Sequence, residues 1–473
     1  MIRRTLTALL SLAMVGACGS TGARSTVDRP SAADRPNVVL VLTDDLSMNL
    51  LPYLPQVQAL AREGTTFANY TVTDSLCCPS RSSLFTGELP HDTGIFTNGG
   101  SDGGFATFHR RGEESSTFAT DLHAAGYRTA MLGKYLNGYL PKDGFVPPGW
   151  DEWDVAGNGY PEYDYNLLEN GKVVHYGHQY LTDVLSAKAT GFITASAKAG
   201  KPFLVEVATF APHAPYTPDD QDRNAFPGRR APRTAGYDTL PSAAPPWLAA
   251  RAPLTAAEKQ QIDVDFRKRA QAVQAVDRMI GSVRRTVEAA GVANRTMIVF
   301  TSDNGYHMGE HRLNPGKMTA YDTDVRVPLV VAGPGVRAGA TVTAPAENID
   351  LRPTVGELAG AATPPTDGRS LVPLLRGQAP AGWRTAALVE HHGPDNDPAD
   401  PDHPAKNSGN PPTYAAIRTT QYTYVEYSDG SKEYYDHGHD PDQLHNTVAS
   451  LTPAAAAALH DALSALVNCH RSC

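Results

Sequence analysis

The run Asn37-Val38-Val39-Leu40-Val41-Leu42-Thr43 has no polar residue at alternate positions, so neither of its faces is suited to water. A strand of that kind belongs in a parallel sheet covered by helices on both sides. Residues 297–301 form a second such run. Both end in oxygen-bearing side chains: Asp44-Asp45 after the first, Ser302-Asp303-Asn304-Gly305 after the second. In open α/β sheets ligands gather beyond the carboxyl ends of the strands. Taken alone, Asp44-Asp45 also suits a helix N-cap and Asn304-Gly305 a plain turn. Together Asp44, Asp45, Asp303 and Asn304 make an all-oxygen set suited to Ca²⁺ or Mg²⁺, without the histidines a zinc pair would want.

The rest of the chain supports an α/β fold. Helical signals cover 55–63, 116–126, 180–195 and 349–360, and strand signals 65–70, 128–132, 202–209 and 327–332. Thr255 and Glu258 form a capping box. From Ile262 through Phe266, Val273 and Ile280 to Val287, apolar residues then keep helical spacing. Residues 143–179, rich in Gly, Tyr, Trp and Asp, read as long surface loops. Near the C-terminus come a strand at 386–390, a hairpin pair at 414–419 and 422–427 turning at 428–431, and an Ala-rich helix at 452–467. The expected architecture is a large, mostly parallel sheet sandwiched by helices, with a smaller C-terminal α+β subdomain built on an antiparallel sheet. The expected division is 36–375 and 376–473.

Two basic residues stand at strand ends. Lys134 follows Gly133 after the 128–132 strand, and His213 lies in Ala211-Pro212-His213-Ala214-Pro215 after 202–209. Either a solvated lysine and a structural loop histidine or a pair of site residues fits those positions. The prolines on either side of His213 restrict its backbone.

Composition narrows the partners. The formal charge of −9 over 473 residues, with no basic block, argues against nucleic acid. No run of 18 apolar residues offers a membrane span. Arg3-Arg4 and the apolar stretch from Leu6 to Val15 have the form of an export signal. Val15-Gly16-Ala17-Cys18 resembles the lipobox of bacterial lipoproteins, in which Cys18 would carry lipid; an ordinary signal peptide is the alternative. Residues 1–18 are thus expected to be a lipoprotein-type signal and 19–35 a flexible tether, giving an exported protein, cell-surface or secreted, that meets a membrane only through a lipid anchor.

The stretch Asp74-Ser75-Leu76-Cys77-Cys78-Pro79-Ser80-Arg81-Ser82-Ser83-Leu84-Phe85-Thr86-Gly87 concentrates the chemistry. A cysteine with a cation nearby can be an activated thiolate, and a cysteine pair can equally be a vicinal disulfide or inert buried thiols. The longer pattern L-C-x-P-S-R-x-x-L-F-T-G closely resembles the signature of the type I, formylglycine-dependent sulfatases of the alkaline-phosphatase-like superfamily. The resemblance implies that Cys77 is oxidised to formylglycine by a formylglycine-generating enzyme, with Pro79 and Arg81 completing the recognition core. It also implies that Lys134, His213 and Lys317 contact a sulfate ester. The metal, Ca²⁺ or Mg²⁺, would be held by Asp44, Asp45, Asp303, Asn304 and the modified Cys77. His307 and His311 lie between Asn304 and Lys317 and rank below the others. Most relatives read G-K-W-H where this chain has Gly133-Lys134-Tyr135-Leu136-Asn137, so a histidine of the pattern is missing.

The implied reaction is hydrolysis of a sulfate monoester. Positive charge from the metal, Arg81, Lys134 and Lys317 offsets the charge on the sulfuryl oxygens. The hydrated aldehyde, a gem-diol, attacks sulfur with one hydroxyl and expels sulfate with the other. His213 is expected to transfer a proton, Lys134 to stabilise the leaving oxygen, and Arg81 to hold the site together. The double cysteine, Gly133-Lys134-Tyr135-Leu136-Asn137 and Pro147-Pro148-Gly149-Trp150-Asp151-Glu152-Trp153 resemble N-acetylglucosamine-6-sulfatases and heparan endosulfatases. A sulfated carbohydrate such as N-acetylglucosamine-6-sulfate is therefore the expected substrate. The alternatives are a phosphoester or phosphonate hydrolase of the same superfamily and a non-catalytic, lipid-anchored binding protein. Of the remaining cysteines, Cys469 and Cys473 have a spacing that permits a disulfide, and Cys78 is expected to be a buried free thiol.

Overall fold

The computed structural model describes residues 35–396, 400 and 402–471. Cys18, the expected signal and nearly all of the expected tether lie outside them. So does Cys473; Cys469 is held in a disulfide. Cys78 is a buried free thiol, as expected.

The central element is a ten-stranded sheet. The strand Asn37–Thr43 lies at its middle, paired in parallel with Phe203–Ala208 on one side and Thr296–Ser302 on the other. Parallel pairing continues from Phe203–Ala208 to Arg128–Lys134 and on to Glu152–Ala156. Antiparallel strands occupy the margins, with Leu329–Ala332 beyond Thr296–Ser302 and Tyr165–Glu169 beyond Glu152–Ala156. The fold is α/β and mostly parallel at its centre, as the uninterrupted apolar runs require.

Asn37–Thr43 shows why such a run is needed. Val38, Leu40 and Leu42 enter one core, beneath the helices Cys77–Thr86, Phe118–Ala124 and Leu351–Ala359. Val39 and Val41 enter the opposite core, beneath Pro55–Glu63, Leu181–Lys198 and Ala256–Ala289. Consecutive strand side chains point to opposite faces, so a strand covered on both sides must be apolar throughout. The helix Ala256–Ala289 runs for 34 residues from the Thr255–Glu258 capping box.

Residues 143–179 are not simply surface loops. They contain the strands Glu152–Ala156, Tyr165–Glu169 and Lys172–Tyr176, which complete one edge of the main sheet. Each is only five residues long, which weakens any periodic signal. The missed cue is Asn170-Gly171, where both residues have positive φ (48° and 90°) between two antiparallel strands. That is the sequence preference of a tight hairpin turn.

The C-terminal part carries a four-stranded antiparallel sheet, Ala386–His391, Tyr414–Thr419, Tyr422–Tyr427 and Lys432–Asp436 in that order. The turn at 428–431 joins its third and fourth strands rather than the pair expected to be the hairpin. Leu388, Ile417 and Tyr424 face the helix Pro453–Val467. Val389, Ala416 and Val425 join the same core as Val38 and Leu40. The small sheet is thereby cemented to the large one. No helix among the described residues is long and apolar enough to cross a membrane.

Candidate active site

The expected site residues converge beyond the carboxyl ends of the parallel strands. Asp44 and Asp45 leave Asn37–Thr43, Lys134 ends Arg128–Lys134, and Asp303 and Asn304 leave Thr296–Ser302. His213 follows Phe203–Ala208, and Cys77 is the first residue of the helix Cys77–Thr86. All of them, with Arg81 and Lys317, are buried.

Asp44 and Asp45 would diverge on a regular strand. They converge because Asp45 turns into left-handed backbone, φ 64°, with its N–H donating to Asp303 Oδ1 at 3.1 Å. Aspartate tolerates that conformation better than most residues. Asn304 Nδ2 donates to Asp45 Oδ1 at 2.6 Å, linking the two strand ends. The Cys77 sulfur lies 3.2 Å from Asp44 Oδ1 and 3.5 Å from Asn304 Oδ1.

Three cations balance this group. Lys134 Nζ donates to Asp44 Oδ2 at 2.6 Å. Lys317 Nζ donates to Asp45 Oδ1 at 2.7 Å and reaches the Cys77 sulfur at 2.9 Å. Arg81 Nε donates to Asp303 Oδ2 and its Nη1 to the Lys134 carbonyl, both at 2.8 Å. Through Nε and Nη1 the guanidinium ties the cysteine helix to two strand ends, while its Nη2 is buried without a hydrogen-bond partner among the described residues.

Burial governs the titration of these groups, modulated by neighbouring charge. It pushes the Cys77 thiol well above its ordinary value, and Asp303, Asp402 and Asp44 act in the same direction. Burial and these carboxylates both favour the neutral form of an unmodified Cys77. Burial opposes the charge of Lys134, yet Asp44 and its neighbours hold its pKa well above normal. His213 behaves alike: burial disfavours the imidazolium, but the Asp402, Asp45 and Asp44 carboxylates bring it up to about 9.

The donor chemistry fits a hard divalent cation. Asp44, Asp45 and Asp303 are carboxylates and Asn304 supplies an amide oxygen, matching the preference of Ca²⁺ and Mg²⁺. Ligand atoms of Asp44, Asp45, Cys77 and His213 lie within 4.8 Å of one another. The positions of Lys134 and Lys317 on these aspartates show how much positive charge the cluster calls for.

Not every sequence candidate belongs here. His307 is committed to Asp324 and the Ser408 carbonyl. His311 Nε2 bonds the Asp442 and Gln443 carbonyls, and its ring stacks on Tyr321. Both hold loops together instead of facing the cysteine.

Three residues the sequence did not single out do reach the site: Asn98, Asn137 and Asp402. The Asp402 carboxylate is bonded to His213 Nε2 and lies 3.3 Å from Lys317 Nζ. Asn98 and Asn137 donate to its other oxygen. Asp402 lies in a polar segment without periodicity, about 190 residues from His213, so only tertiary structure brings it here. Asn137 had a signal, since it closes the segment in which the family's histidine is absent.

A cavity of ≈350 Å³ opens beside this cluster, lined among others by Asp45, His213, Lys317, Asp402, Glu258 and Asp265.

Comparisons with known proteins agree with this geometry. The Sulfatase family model matches residues 36–361, and the model for the C-terminal part of N-sulphoglucosamine sulphohydrolase matches 309–468. The chain is 34% identical over 497 aligned residues to human N-acetylglucosamine-6-sulfatase, covering 98% of this chain and 89% of that protein. It is 35% identical to the Drosophila melanogaster extracellular sulfatase SULF-1 homologue, over 78% of this chain but 34% of that longer protein. Among solved structures, one in complex with its substrate D-glucosamine-2-N,6-O-disulfate superposes with a TM-score of 0.75 at 24% identity, covering 92% of this chain and 97% of that one. The phosphonate monoester hydrolase of Silicibacter pomeroyi shares the fold at a TM-score of 0.70 and 22% identity, covering 92% and 94%. With a matching family model over most of its length and relatives above 30% identity, the chain belongs to the sulfatase family, the hydrolases of sulfuric esters.

Proposed function

We propose that the protein hydrolyses the 6-sulfate ester of a glucosamine-type sugar, N-acetylglucosamine-6-sulfate being the first candidate. The observation that carries this reading is the position of Cys77 Sγ, 3.2 Å from Asp44 and 2.9 Å from the Lys317 ammonium. That geometry suits a nucleophile-bearing group made from Cys77, next to a metal and a sulfate-binding cation. The substrate class follows the curated N-acetylglucosamine-6-sulfatases aligned over nearly the full chain.

In this reading Asp44, Asp45, Asp303 and Asn304 hold Ca²⁺ or Mg²⁺, and Cys77 is matured to formylglycine by a formylglycine-generating enzyme. When bound, the cation supplies positive charge against the sulfuryl oxygens, and the hydrated aldehyde supplies an oxygen nucleophile in place of a thiol. Lys317 and His213 face the sulfate from the cavity side. Lys134, at the end of its strand, stabilises the leaving oxygen, and His213 holds the proton that this oxygen needs. Arg81 keeps Asp303 and the Lys134 backbone in register. Oriented charges in a site closed to water are the largest catalytic resource available for such a reaction.

The cavity lining also carries Glu258 and Asp265. Export is part of the reading, because homologous sulfatases include extracellular enzymes. Lipid attachment at Cys18 belongs to the same reading, and metabolic lipid labelling tests it.

The deciding experiment joins two measurements on protein from the native host. Mass spectrometry of the Cys77 peptide should show the loss of about 18 Da from the cysteine form expected for an aldehyde. A panel of N-acetylglucosamine-6-sulfate, nitrophenyl sulfate, a phosphomonoester, a phosphodiester and a phosphonate monoester should show the sugar sulfate turned over best. Preference for the phosphonate would favour the activity named for a protein of the same fold. An unmodified Cys77 with no turnover would leave a binding protein.

A further inference from the structure

The Asp402 carboxylate sits in a set of donors made for a larger anion. Its Oδ1 faces His213 Nε2 and Lys317 Nζ. Its Oδ2 accepts from Asn98 Nδ2 at 2.8 Å and Asn137 Nδ2 at 3.1 Å. The Asp402 side chain is only 2% exposed. Four donors from four separate segments thus converge on one buried anionic group. Two of them, His213 and Lys317, are the cations assigned to the substrate above. The carboxylate oxygens of Asp402 stand in for sulfuryl oxygens.

We propose that Asn98 and Asn137 are substrate-contacting residues, the neutral half of the cradle that binds the sulfate, and that Asp402 is an internal anion competing for it. The inference rests on the sulfatase reading and adds to it the two amide donors and the competitor.

The two asparagines are built for this. Asn98 is 4% exposed; its Oδ1 accepts from the Cys78 N–H at 2.9 Å, which fixes the amide and aims Nδ2 into the site. Asn98 is thereby registered to the same helix turn that presents Cys77. Asn137 is 5% exposed, and its backbone carbonyl is anchored by the Phe105 N–H at 2.8 Å. Its Oδ1 is buried without a hydrogen-bond partner, a cost accepted while Nδ2 points at the anion. Asn137 also lies three residues beyond Lys134, directly after Leu136, which stands where G-K-W-H has its histidine. An amide supplies a donor there without adding a second titratable group beside His213. An N–H directed at an anion in a buried site is a strong interaction, and its removal leaves the anion under-solvated.

The test measures binding, so it does not depend on turnover. Sodium sulfate is titrated calorimetrically into the metal-loaded, full-length protein and its variants at constant ionic strength. Asn137→Ala should weaken sulfate binding about tenfold or more, the loss expected for a hydrogen bond to a charged group. Asn98→Asp keeps the acceptor for the Cys78 N–H while turning a donor into a negative charge, and should abolish binding. Asp402→Ala should tighten it about tenfold by removing the competitor. Thermal melting of each variant identifies any that fail to fold, and Asn137→Asp serves as the isosteric check on Asn137→Ala. Folded variants at Asn98 and Asn137 that bind sulfate like the parent overturn the assignment. Weaker sulfate binding in Asp402→Ala overturns the competitor role. Should the parent bind sulfate but turn over no sulfate ester, the sulfatase reading fails while the cradle stands.

Discussion

Lys317 bridges Cys77 and Asp45: its ammonium lies 2.9 Å from the cysteine sulfur and 2.7 Å from Asp45 Oδ1. A buried ammonium requires such partners, because burial alone would drive off its proton. Asp402 and Asp45 hold the pKa of Lys317 well above normal despite burial. A positive charge is therefore held within hydrogen-bond distance of the Cys77 sulfur across the physiological range.

Replacing Cys77 should remove catalysis and leave the fold. Cys77→Ala and Cys77→Ser are expected to lose roughly a thousandfold or more in turnover of nitrophenyl sulfate, as removal of a nucleophile does. Steady-state assays check the loss, and an unchanged denaturant slope checks the fold. Residual activity near the parent level would exclude Cys77 as the nucleophile's source.

Lys134 should matter most when the leaving group is poor. An alkoxide needs its developing charge neutralised and a nitrophenolate hardly does. Lys134→Ala is expected to lose about 10²–10³-fold in kcat with a sugar sulfate and markedly less with nitrophenyl sulfate. Equal losses on both substrates would assign Lys134 to the sulfuryl oxygens instead.

Gly133 is as constrained as the lysine it precedes. Its φ is +102°, and an added Cβ would lie 1.9 Å from the Ala208 carbonyl oxygen in the neighbouring strand. Backbone cannot yield as a flexible side chain does, so Gly133→Ala should cost about 3 kcal/mol and shift Lys134. A reduced denaturant midpoint together with lower kcat would bear this out.

Chelation should lower the melting temperature. Asp44, Asp45 and Asp303 are buried together, and a bound cation stabilises the native state by mass action, about 2.7 kcal/mol at a hundredfold excess over Kd. EDTA is expected to lower the midpoint by a few degrees, with Ca²⁺ or Mg²⁺ restoring it. Asp45→Asn should blunt both responses. A midpoint indifferent to EDTA and to added cation would argue against a structural cation here.

His91 should make stability fall at alkaline pH. Burial works against its charge, but Nδ1 lies 2.8 Å from Glu390 Oε2 and Nε2 lies 2.7 Å from the Cys469 carbonyl, both acceptors. The doubly protonated ring satisfies both, and the pKa rises from 6.5 to about 9. With the folded value above the unfolded one, this contribution is complete below pH 6.5 and is lost as pH rises through about 9. Melting temperatures from pH 6 to 10 should decline in the parent and decline less in His91→Gln. Parallel curves would show that the ring does not titrate there.

The central strands were legible because burial on both faces demands continuous apolar runs, and Asn37–Thr43 appears where the sequence put it. Thr255 and Glu258 likewise announced the start of the long helix. The marginal strands Glu152–Ala156, Tyr165–Glu169 and Lys172–Tyr176, the last at the sheet edge, were hidden, since short strands toward a sheet margin are stabilised by their partners more than by their own pattern. The 428–431 turn was recognised but given to the wrong strand pair, because turn residues specify a reversal and not what pairs across it.

The cysteine motif, the acidic strand ends, Lys134, His213 and Lys317 were all present in the order of residues, because local motifs and strand-end positions are one-dimensional facts. Tertiary structure alone decided three further things. It turned Asp45 into left-handed backbone so that adjacent carboxylates converge. It committed His307 and His311 to loop carbonyls and to Asp324. It brought Asp402 onto Asn98, Asn137, His213 and Lys317 from 189 residues beyond His213. The physical reason is common to all three: a buried polar group must find a partner, and which partner is near depends on packing across the whole sheet and not on neighbours in the chain.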